Sequence, residues 1–347
     1  MSSLALRGAR RLTKSKYVYA THKIPIECDV YTADDFPATS PAFLYFHSGG
    51  LVTGSRSCVP PWLVQATFKV CFRNKWPLVS ASYRLLPQAR ALGLFQDAGA
   101  AYRFAARLPA PDGTPIERKV IVGGGSAGFF MASLTAHWLT PPPIALLSVT
   151  GITTFRHRFF NCSVSLTPEP ITLPQIGHYL EDPVSVGTVP ADNPQVFHLD
   201  KLLPDGSKNI NFKAPEVPIS EDEKADKFPR GGLYDYYLHN NAFTLLVSPY
   251  DAGYEWAKAK DDDSEAKLRA WPPTTIIQGD ADHHVDLAVS THMVDCLGEH
   301  KVKLFLARGQ PHRYEATRFL EDDVDGMDAV RQAVANLEAD VALALGQ

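Results

Sequence analysis

The stretch "RKVIVGGGSAGFF", Arg118–Phe130, is a run of β-forming residues that ends in three glycines and continues into small and aromatic residues. Two motifs overlap in it. Gly123, Gly125 and Gly128 fit G-x-G-x-x-G, the glycine pattern of dinucleotide-binding folds. The same letters fit G-x-S-x-G around Ser126, the tight turn that carries the nucleophile of many serine hydrolases. The rest of the chain decides between the two.

The dinucleotide interpretation lacks the residues that should accompany it. In that fold the glycines follow the first strand, and an acidic residue about 20 positions later binds the ribose hydroxyl. Here several strand-like stretches precede the glycines, and no Asp or Glu occurs between Ser126 and Glu169. The sequence therefore favours the serine-hydrolase turn.

Composition narrows the class of protein. The 347 residues, 45% hydrophobic and 21% charged, suffice for one large α/β domain with insertions or for two ordinary domains. A net charge of −4 without a basic stripe argues against a nucleic-acid partner. No apolar run approaches the roughly 20 residues of a membrane span. Five scattered cysteines without a C-x-x-C pair argue against a disulfide framework and a zinc site, and indicate a reducing compartment.

The N-terminal residues 1–16, "MSSLALRGARRLTKSK", predict a basic leader that runs into the first strand. No acidic residue occurs before Glu27, which is also typical of a mitochondrial transit peptide. We expect a cytoplasmic protein, and a mitochondrial location stays open as the alternative.

Apolar runs and helical periodicity alternate along the chain. An opening hairpin, "KYVYAT" with "IPIECDVYT", is followed by strand-like runs such as "AFLYF", "KVIV" and "IALLSV", and by amphipathic stretches such as "ARALGLFQDAGAAYRFAARL". This alternation predicts an α/β fold with a doubly wound, mostly parallel sheet. The periodicity fails from residue 155, where prolines recur. We predict core segments at 17–154 and 241–347 and a cap insertion at 155–240.

A serine nucleophile needs an acid and a base on loops after later strands, in the order Ser, Asp, His. Asp280 and Asp282 both follow the strand-like run "TTIIQG", and His312 follows "LFLARGQP". An earlier loop must bring backbone N–H groups to the developing oxyanion, and glycine permits that close approach. The segment "FHSGG" after the third strand provides such a loop.

Together these motifs resemble the hormone-sensitive-lipase-like branch of the α/β-hydrolase family. "YFHSGGLVTGS" is similar to that family's H-G-G-G loop, "SYRLLPQ" to its Y-R-L-A-P-E segment and "GGSAG" to its G-D-S-A-G turn. "LVSPYD" and "WPPTTIIQGDAD" are similar to its later motifs. The resemblance covers roughly Tyr17–Ala316 apart from the insertion, and it implies an α/β-hydrolase fold.

The resemblance also implies which residues form the site. The catalytic triad would be Ser126, Asp282 and His312, and the oxyanion hole would use the backbone N–H groups of Gly49, Gly50 and Ala127. The residues expected to contact substrate are Ser48, Leu51, Gly125, Phe129 and His283. Four positions depart from the family pattern, because Ser48, Gly125, Phe129 and Gln88 stand where the family has glycine, aspartate, glycine and glutamate.

Several residues keep a second interpretation. Asp280 could be the acid, with Asp282 in the turn. Asp280, Asp282, His283 and His284 together suggest a metal site, but adjacent side chains on an extended segment point to opposite faces, so we predict no metal. His47 is expected to shape the oxyanion loop rather than to transfer a proton.

Two further sets stay open between a role in packing and a role in binding. Tyr83 and Arg84 are expected to pack beneath the oxyanion loop, with substrate contact as the alternative. The aromatic residues of the insertion could line an acyl pocket or form a core of their own; they are Phe155, Phe159, Phe160, Tyr234, Tyr236 and Tyr237.

We therefore expect a carboxylic-ester hydrolase that acts on a mostly apolar small molecule through an acyl-enzyme, without a cofactor. Because the departures and the cap change the surroundings of the nucleophile, acyl transfer, cyclisation or chain release in secondary metabolism by the same triad is one alternative. A non-catalytic ligand-binding protein on a hydrolase scaffold is the other. The sequence does not indicate an oligomeric state.

Overall fold

A computed structural model describes residues 12–68, 74–216 and 228–346 of the chain. The predicted basic leader lies mostly outside the described residues, as do Cys71 and most of the charge-rich stretch 218–230. From Thr13 onward the chain is already in the first strand.

One eight-stranded sheet organises the molecule, with strand order β1-β2-β4-β3-β5-β6-β7-β8. β1 and β2 form the predicted hairpin, and β2 pairs antiparallel with β4, whereas all later pairings are parallel. The predicted doubly wound, mostly parallel sheet is therefore confirmed. The strands are β1 Thr13–His22, β2 Ile24–Thr32, β3 Ala42–Phe46, β4 Leu78–Ala81, β5 Val120–Gly125, β6 Ala145–Val149, β7 Thr274–Gly279 and β8 Val302–Ala307.

Helices cover both faces of the sheet. They are α1 Pro61–Phe68, α2 Arg90–Ala106, α3 Ala127–Trp138, α4 Leu173–Ile176, α5 Gly232–His239, α6 Phe243–Val247, α7 Asp262–Ala270, α8 Leu287–Leu297 and α9 Met327–Leu345. Side chains of a strand alternate between the two faces. On β3, Leu44 and Phe46 pack in the core with α2, α3 and α8, whereas Phe43 and Tyr45 pack in a second core with α1 and α9.

Between β6 and β7 the described residues add no strand to the sheet and form short helices instead. Several of their aromatic side chains pack on the α3 side of the sheet: Phe155 and Phe160 are fully buried, and Phe155 stacks on Phe243 with ring centroids 4.7 Å apart. Phe155, Phe160 and Tyr237 therefore belong to a core that joins the insertion to α3.

The sequence analysis did not predict the helices α1, α4, α5, α6 and α7. α7 begins in the acidic run "DDDSE", residues 261–265, and it buries none of its residues. It forms because Asp261 accepts a hydrogen bond from the N–H of Ser264 at the N-cap, and acidic side chains in the first turn favour the helix dipole. Within the described parts of the chain, no helix combines the length and apolarity needed to cross a membrane.

Candidate active site

Ser126 occupies the turn between β5 and α3. Its backbone has φ 51° and ψ −125°, a conformation that costs a non-glycine residue about 1–3 kcal/mol. Its N–H donates to the carbonyl of Val149 at 2.9 Å, and its carbonyl accepts from the N–H of Phe129 at 3.0 Å and of Ile152 at 2.9 Å. These three bonds tie the strained turn to β6 and α3, so the surroundings enforce the conformation.

The glycines on either side of the turn are required by close backbone packing. A Cβ at Gly124 would lie 2.2 Å from the carbonyl carbon of Gly128, and a Cβ at Gly128 would lie 2.2 Å from the carbonyl oxygen of Phe46. The first turn of α3 therefore contacts the end of β3 directly. This contact brings Ser126 beside the loop that follows β3.

Hydrogen bonds join Ser126, His312 and Asp282 at the ends of three strands. Nε2 of His312 lies 3.0 Å from Oγ of Ser126, and Nδ1 of the same ring lies 2.7 Å from Oδ2 of Asp282. β5 ends before Ser126, β7 before Asp282 and β8 before His312. Because carboxyl ends of parallel strands share one sheet edge, residues far apart in sequence meet there.

The Asp282 side chain is fully enclosed and receives donors on both oxygens. Oδ1 accepts from the backbone N–H groups of His284 at 2.9 Å and Val285 at 3.0 Å, and Oδ2 accepts from Nε2 of Gln278 at 2.9 Å in addition to His312. The carboxylate is thereby fixed in orientation. Asp280 instead accepts from the N–H of Gly309 and makes a weak contact of 3.9 Å with Arg308, away from His312.

Two glycines with positive φ allow the loop after β3 to turn sharply. Gly49 has φ 118° and Gly50 has φ 62°, and a Cβ at Gly49 would lie 2.3 Å from the carbonyl oxygen of Thr53. Ser48 has no positive φ and adopts an ordinary backbone conformation, so the serine at this position is tolerated without strain. Ser48, Gly49 and Gly50 face the same cavity as Ser126.

His47 and Tyr83 hold this loop from below. Nδ1 of His47 donates to the carbonyl of Ser48 at 2.7 Å, its ring stacks on Tyr83 with centroids 4.2 Å apart, and the Tyr83 hydroxyl donates to the His47 carbonyl at 2.9 Å. Burial lowers the pKa of His47 to about 4, so the ring is neutral. Arg84 forms a buried ion pair with Asp97 of α2, at 2.7 Å. His47 and Tyr83 therefore support the loop, whereas Arg84 bonds to α2.

The departures at positions 125, 129 and 88 have separate structural causes. A Cβ at Gly125 would lie 2.7 Å from the hydroxyl of Tyr45, so the tyrosine fills the space of a side chain there. Phe129 is fully buried in the core between α3 and the sheet. Gln88 accepts from Nη2 of Arg230 at 3.1 Å and donates to the carbonyl of Tyr179 at 2.8 Å. It therefore ties the insertion to the core.

A cavity of about 330 Å³ opens at Ser126. Its lining residues are Ser48, Gly49, Gly50, Thr53, Ser126, Gly231, Tyr234, Asp235, His284, His312 and Arg313. Of the residues expected to contact substrate, Ser48 lines this cavity. Leu51, Gly125 and Phe129 are buried and do not line it. The exposed His283 does not line it either, whereas its neighbour His284 does.

Tyr234, one of the aromatic residues that the sequence left open between an acyl pocket and a core, lines the cavity. Sequence reasoning missed five other lining residues: Thr53, Gly231, Asp235, His284 and Arg313. Two of them had a usable signal, because His284 lies two positions after the acid and Arg313 directly follows the histidine. Tyr234 and Asp235 lie on α5 of the insertion, where no motif marks them. The Tyr234 hydroxyl donates to the carbonyl of His284 at 2.7 Å and so joins α5 to the loop after β7.

The charged side chains of the cavity influence one another. The His284 ring stacks on the His312 ring with centroids 5.2 Å apart and planes 18° apart. Partial burial and the neighbouring His312 lower the pKa of His284, while the carboxylates of Asp282 and Asp235 oppose that shift. Burial raises the pKa of Asp235, and His284 opposes that shift.

Comparisons with known proteins agree with this architecture. A family model described as alpha/beta hydrolase fold matches residues 43–160. No match to the chain is found among curated proteins. Among solved structures, an alpha/beta hydrolase superfamily protein from Enterococcus faecalis is 15% identical, with a TM-score of 0.61 over 94% of this chain and 97% of that one.

Two similar structures are named as esterases. The esterase of Pyrobaculum calidifontis is 17% identical, with a TM-score of 0.52 over 95% of this chain and 86% of that one. A thermostable esterase from Pseudomonas putida is 16% identical, with a TM-score of 0.53 over 96% of this chain and 84% of that one. At identities this low, the structural similarity establishes the fold alone. The chain has the α/β-hydrolase fold, and its resemblance to the hormone-sensitive-lipase-like branch is confirmed by the family model across residues 43–160.

Proposed function

We propose that the protein is a serine hydrolase that cleaves a carboxylic ester of a small molecule through an acyl-enzyme. The observation that carries the proposal is the pair of hydrogen bonds from Ser126 through His312 to Asp282, 3.0 Å and 2.7 Å long. Ser126 lies at a cavity that a small ester can enter. The esterases among the structural relatives support the same reaction class.

In the proposed reaction, Oγ of Ser126 attacks the ester carbonyl carbon while Nε2 of His312 takes the hydroxyl proton. Asp282 keeps the proton of the ring on Nδ1 and stabilises the imidazolium that forms. The tetrahedral intermediate collapses when the carbon–oxygen bond to the alcohol breaks and His312 returns its proton to the leaving oxygen. Water then attacks the acyl-enzyme with His312 as the base, which releases the acid and restores Ser126.

The oxyanion of each tetrahedral intermediate needs N–H donors beside the serine. We assign this role to the backbone N–H groups of Gly49, Gly50 and Ala127, because Gly49 and Gly50 line the cavity and Ala127 is the first residue of α3. Removing one such donor in other enzymes costs about 3 kcal/mol of transition-state stabilisation. The neutral His47 beneath the loop fixes the position of these donors without taking part in proton transfer.

A fluorophosphonate probe tests the nucleophile, because it reacts with an activated serine and forms a stable adduct. The wild-type protein should be labelled at Ser126, and Ser126→Ala should not be labelled. Ser48→Ala is the matched control, since Ser48 lines the same cavity; it should still be labelled at Ser126. A wild-type protein without labelling would contradict the proposal and favour a ligand-binding role.

Product analysis separates hydrolysis from acyl transfer. Short methyl esters should yield free acid in water, and adding an excess of a second alcohol should not replace the acid by a new ester. If the new ester is the main product at low alcohol concentration, the same three residues serve acyl transfer instead.

A further inference from the structure

The cavity at Ser126 has a charged wall. Four of its lining residues are titratable: Asp235, His284, His312 and Arg313. Most other described lining residues are small or polar, and Tyr234 adds an aromatic ring. A long acyl chain would need apolar walls to be stabilised by burial. The lining therefore offers a substrate charged groups as well as apolar surface.

Arg313 lines this cavity, and its side chain has no ion-pair partner among the described residues. Its Nη1 donates to Oε1 of Gln195 at 2.8 Å, which uses one of the five N–H donors of the guanidinium. Guanidinium groups carry a positive charge in proteins. An anion that enters the cavity therefore meets a cation that has no ion-pair partner among the described residues.

Glu315 lies close in sequence, and the charge of Arg313 opposes the effect of burial on the pKa of Glu315, but no ion pair joins the two side chains. Its side chain is fully buried, and neither carboxyl oxygen has a hydrogen-bond partner among the described residues. Burial raises the pKa of Glu315, which favours the neutral acid.

The backbone fixes where Arg313 stands. Arg313 directly follows His312 and has φ 56°, in the left-handed region that a side chain disfavours. Its carbonyl accepts from the N–H of Ala316 at 3.1 Å, which closes the turn. Such conformations persist where the surrounding structure imposes them, and they concentrate at functional sites.

Asp235 carries the opposite charge, but it has different neighbours. The charged group acting on Asp235 is His284, on the loop after β7. Arg313 instead acts on Glu315, and on His47 and Tyr45 at the end of β3. A carboxyl group can also relieve its desolvation by taking up a proton, whereas a guanidinium cannot. The charge of Arg313 therefore favours binding of an anion in this cavity more strongly than the charge of Asp235 favours binding of a cation.

We infer that the substrate of the proposed reaction is a small ester that carries a carboxylate, and that the guanidinium of Arg313 binds this carboxylate. The planar guanidinium can donate two parallel hydrogen bonds to a carboxylate, a geometry that ammonium groups do not offer. The inference rests on the proposed ester hydrolysis and names the substrate class of the same site.

Three methyl esters of similar size test the inference by methanol release. Monomethyl succinate carries a carboxylate, methyl 4-oxopentanoate is its neutral analogue, and methyl 4-(trimethylammonio)butanoate carries a cation. The wild-type protein should prefer the succinate ester over the neutral ester by about tenfold or more in kcat/KM, as expected for a charge-assisted contact. Arg313→Gln should abolish that ratio, mainly through KM, and Arg313→Lys should retain part of it.

Arg318→Gln is the matched control, because it removes a positive charge from an exposed position on the same segment. It should keep the wild-type ratio. The inference is overturned if the ratio in Arg313→Gln equals that of the wild type, or if the cationic ester is preferred and Asp235→Asn removes that preference. Fluorophosphonate labelling of Ser126, measured on each variant, separates this outcome from failure of the proposed hydrolysis, which would abolish labelling in the wild type as well.

Discussion

Replacing Asp282 by asparagine is the sharpest test of the hydrogen-bonded chain at the sheet edge. The substitution keeps the shape of the side chain and exchanges one oxygen for an NH2 group. In the wild type, each carboxylate oxygen accepts two hydrogen bonds. Oδ1 accepts from two backbone N–H groups, and Oδ2 accepts from Gln278 and His312. In either orientation the new NH2 group must face two donors.

The least costly orientation decides the effect on catalysis. The backbone N–H groups of His284 and Val285 cannot rotate away, so the amide oxygen should stay with them and the NH2 group should face His312. Gln278 is held by its second bond, to the carbonyl of Val285 at 3.0 Å. The histidine ring can adapt by moving its proton from Nδ1 to Nε2. That tautomer presents an N–H to Ser126 and cannot take the hydroxyl proton.

We expect kcat to fall by about 10⁴, which corresponds to about 5.5 kcal/mol in the activation free energy. The unsatisfied donors should also lower the free energy of unfolding by about 1–3 kcal/mol. The assay is methanol release from a short methyl ester, with urea unfolding on the same samples. Asp280→Asn is the matched control and should retain kcat within about threefold, because its amide oxygen can still accept from Gly309. The reasoning is refuted if Asp280→Asn loses more activity than Asp282→Asn.

Two further predictions concern the packing around the turn and the buried histidine. Gly128→Ala should lower the free energy of unfolding by about 3 kcal/mol and reduce kcat, because its Cβ would lie 2.2 Å from the Phe46 carbonyl oxygen. Gly177→Ala is the control, because the atom nearest to its Cβ would be Cδ1 of Leu173, 3.9 Å away. It should change the free energy of unfolding by less than about 0.5 kcal/mol in urea. Burial lowers the pKa of His47 to about 4, below the value of about 6.5 in the unfolded chain. The unfolded state therefore binds more protons, and the free energy of unfolding should fall as the pH is lowered below 6.5. Between pH 6.5 and 5, His47→Gln should lose about 1.6 kcal/mol less stability than the wild type, and an equal loss in both proteins would contradict the assignment.

The residues at the sheet edge could be predicted, although they lie far apart in the chain, because the local sequence around each of them marks it. Ser126 is marked by the strand before it, the helix after it and the glycines that close packing requires. Asp282 and His312 are marked because each follows an apolar run, and parallel strands bring their carboxyl ends to one edge. The choice of Asp282 over Asp280 needed the family resemblance, since both residues follow the same strand.

The insertion could not be predicted in the same way. In the described residues between 155 and 240 the chain forms short helices without a clear apolar period, and contacts with α3 such as that of Phe155 with Phe130 hold the segment in place. Apolar aromatic residues alone do not reveal whether they face a cavity or a core. Phe160 turned inward to the core, whereas Tyr234, on a helix further along, faces the cavity.

Residues from two parts of the chain form the site. The strand ends supply the three hydrogen-bonded residues, whereas α5 of the insertion contributes Tyr234 and Asp235 to the cavity wall. The two parts are mechanically joined, because the Tyr234 hydroxyl donates to the carbonyl of His284, whose N–H donates to Asp282. A shift of α5 that moves Tyr234 would therefore move the backbone that orients the carboxylate. Changes in the insertion should alter kcat as well as substrate preference, even where they touch none of the residues at the sheet edge.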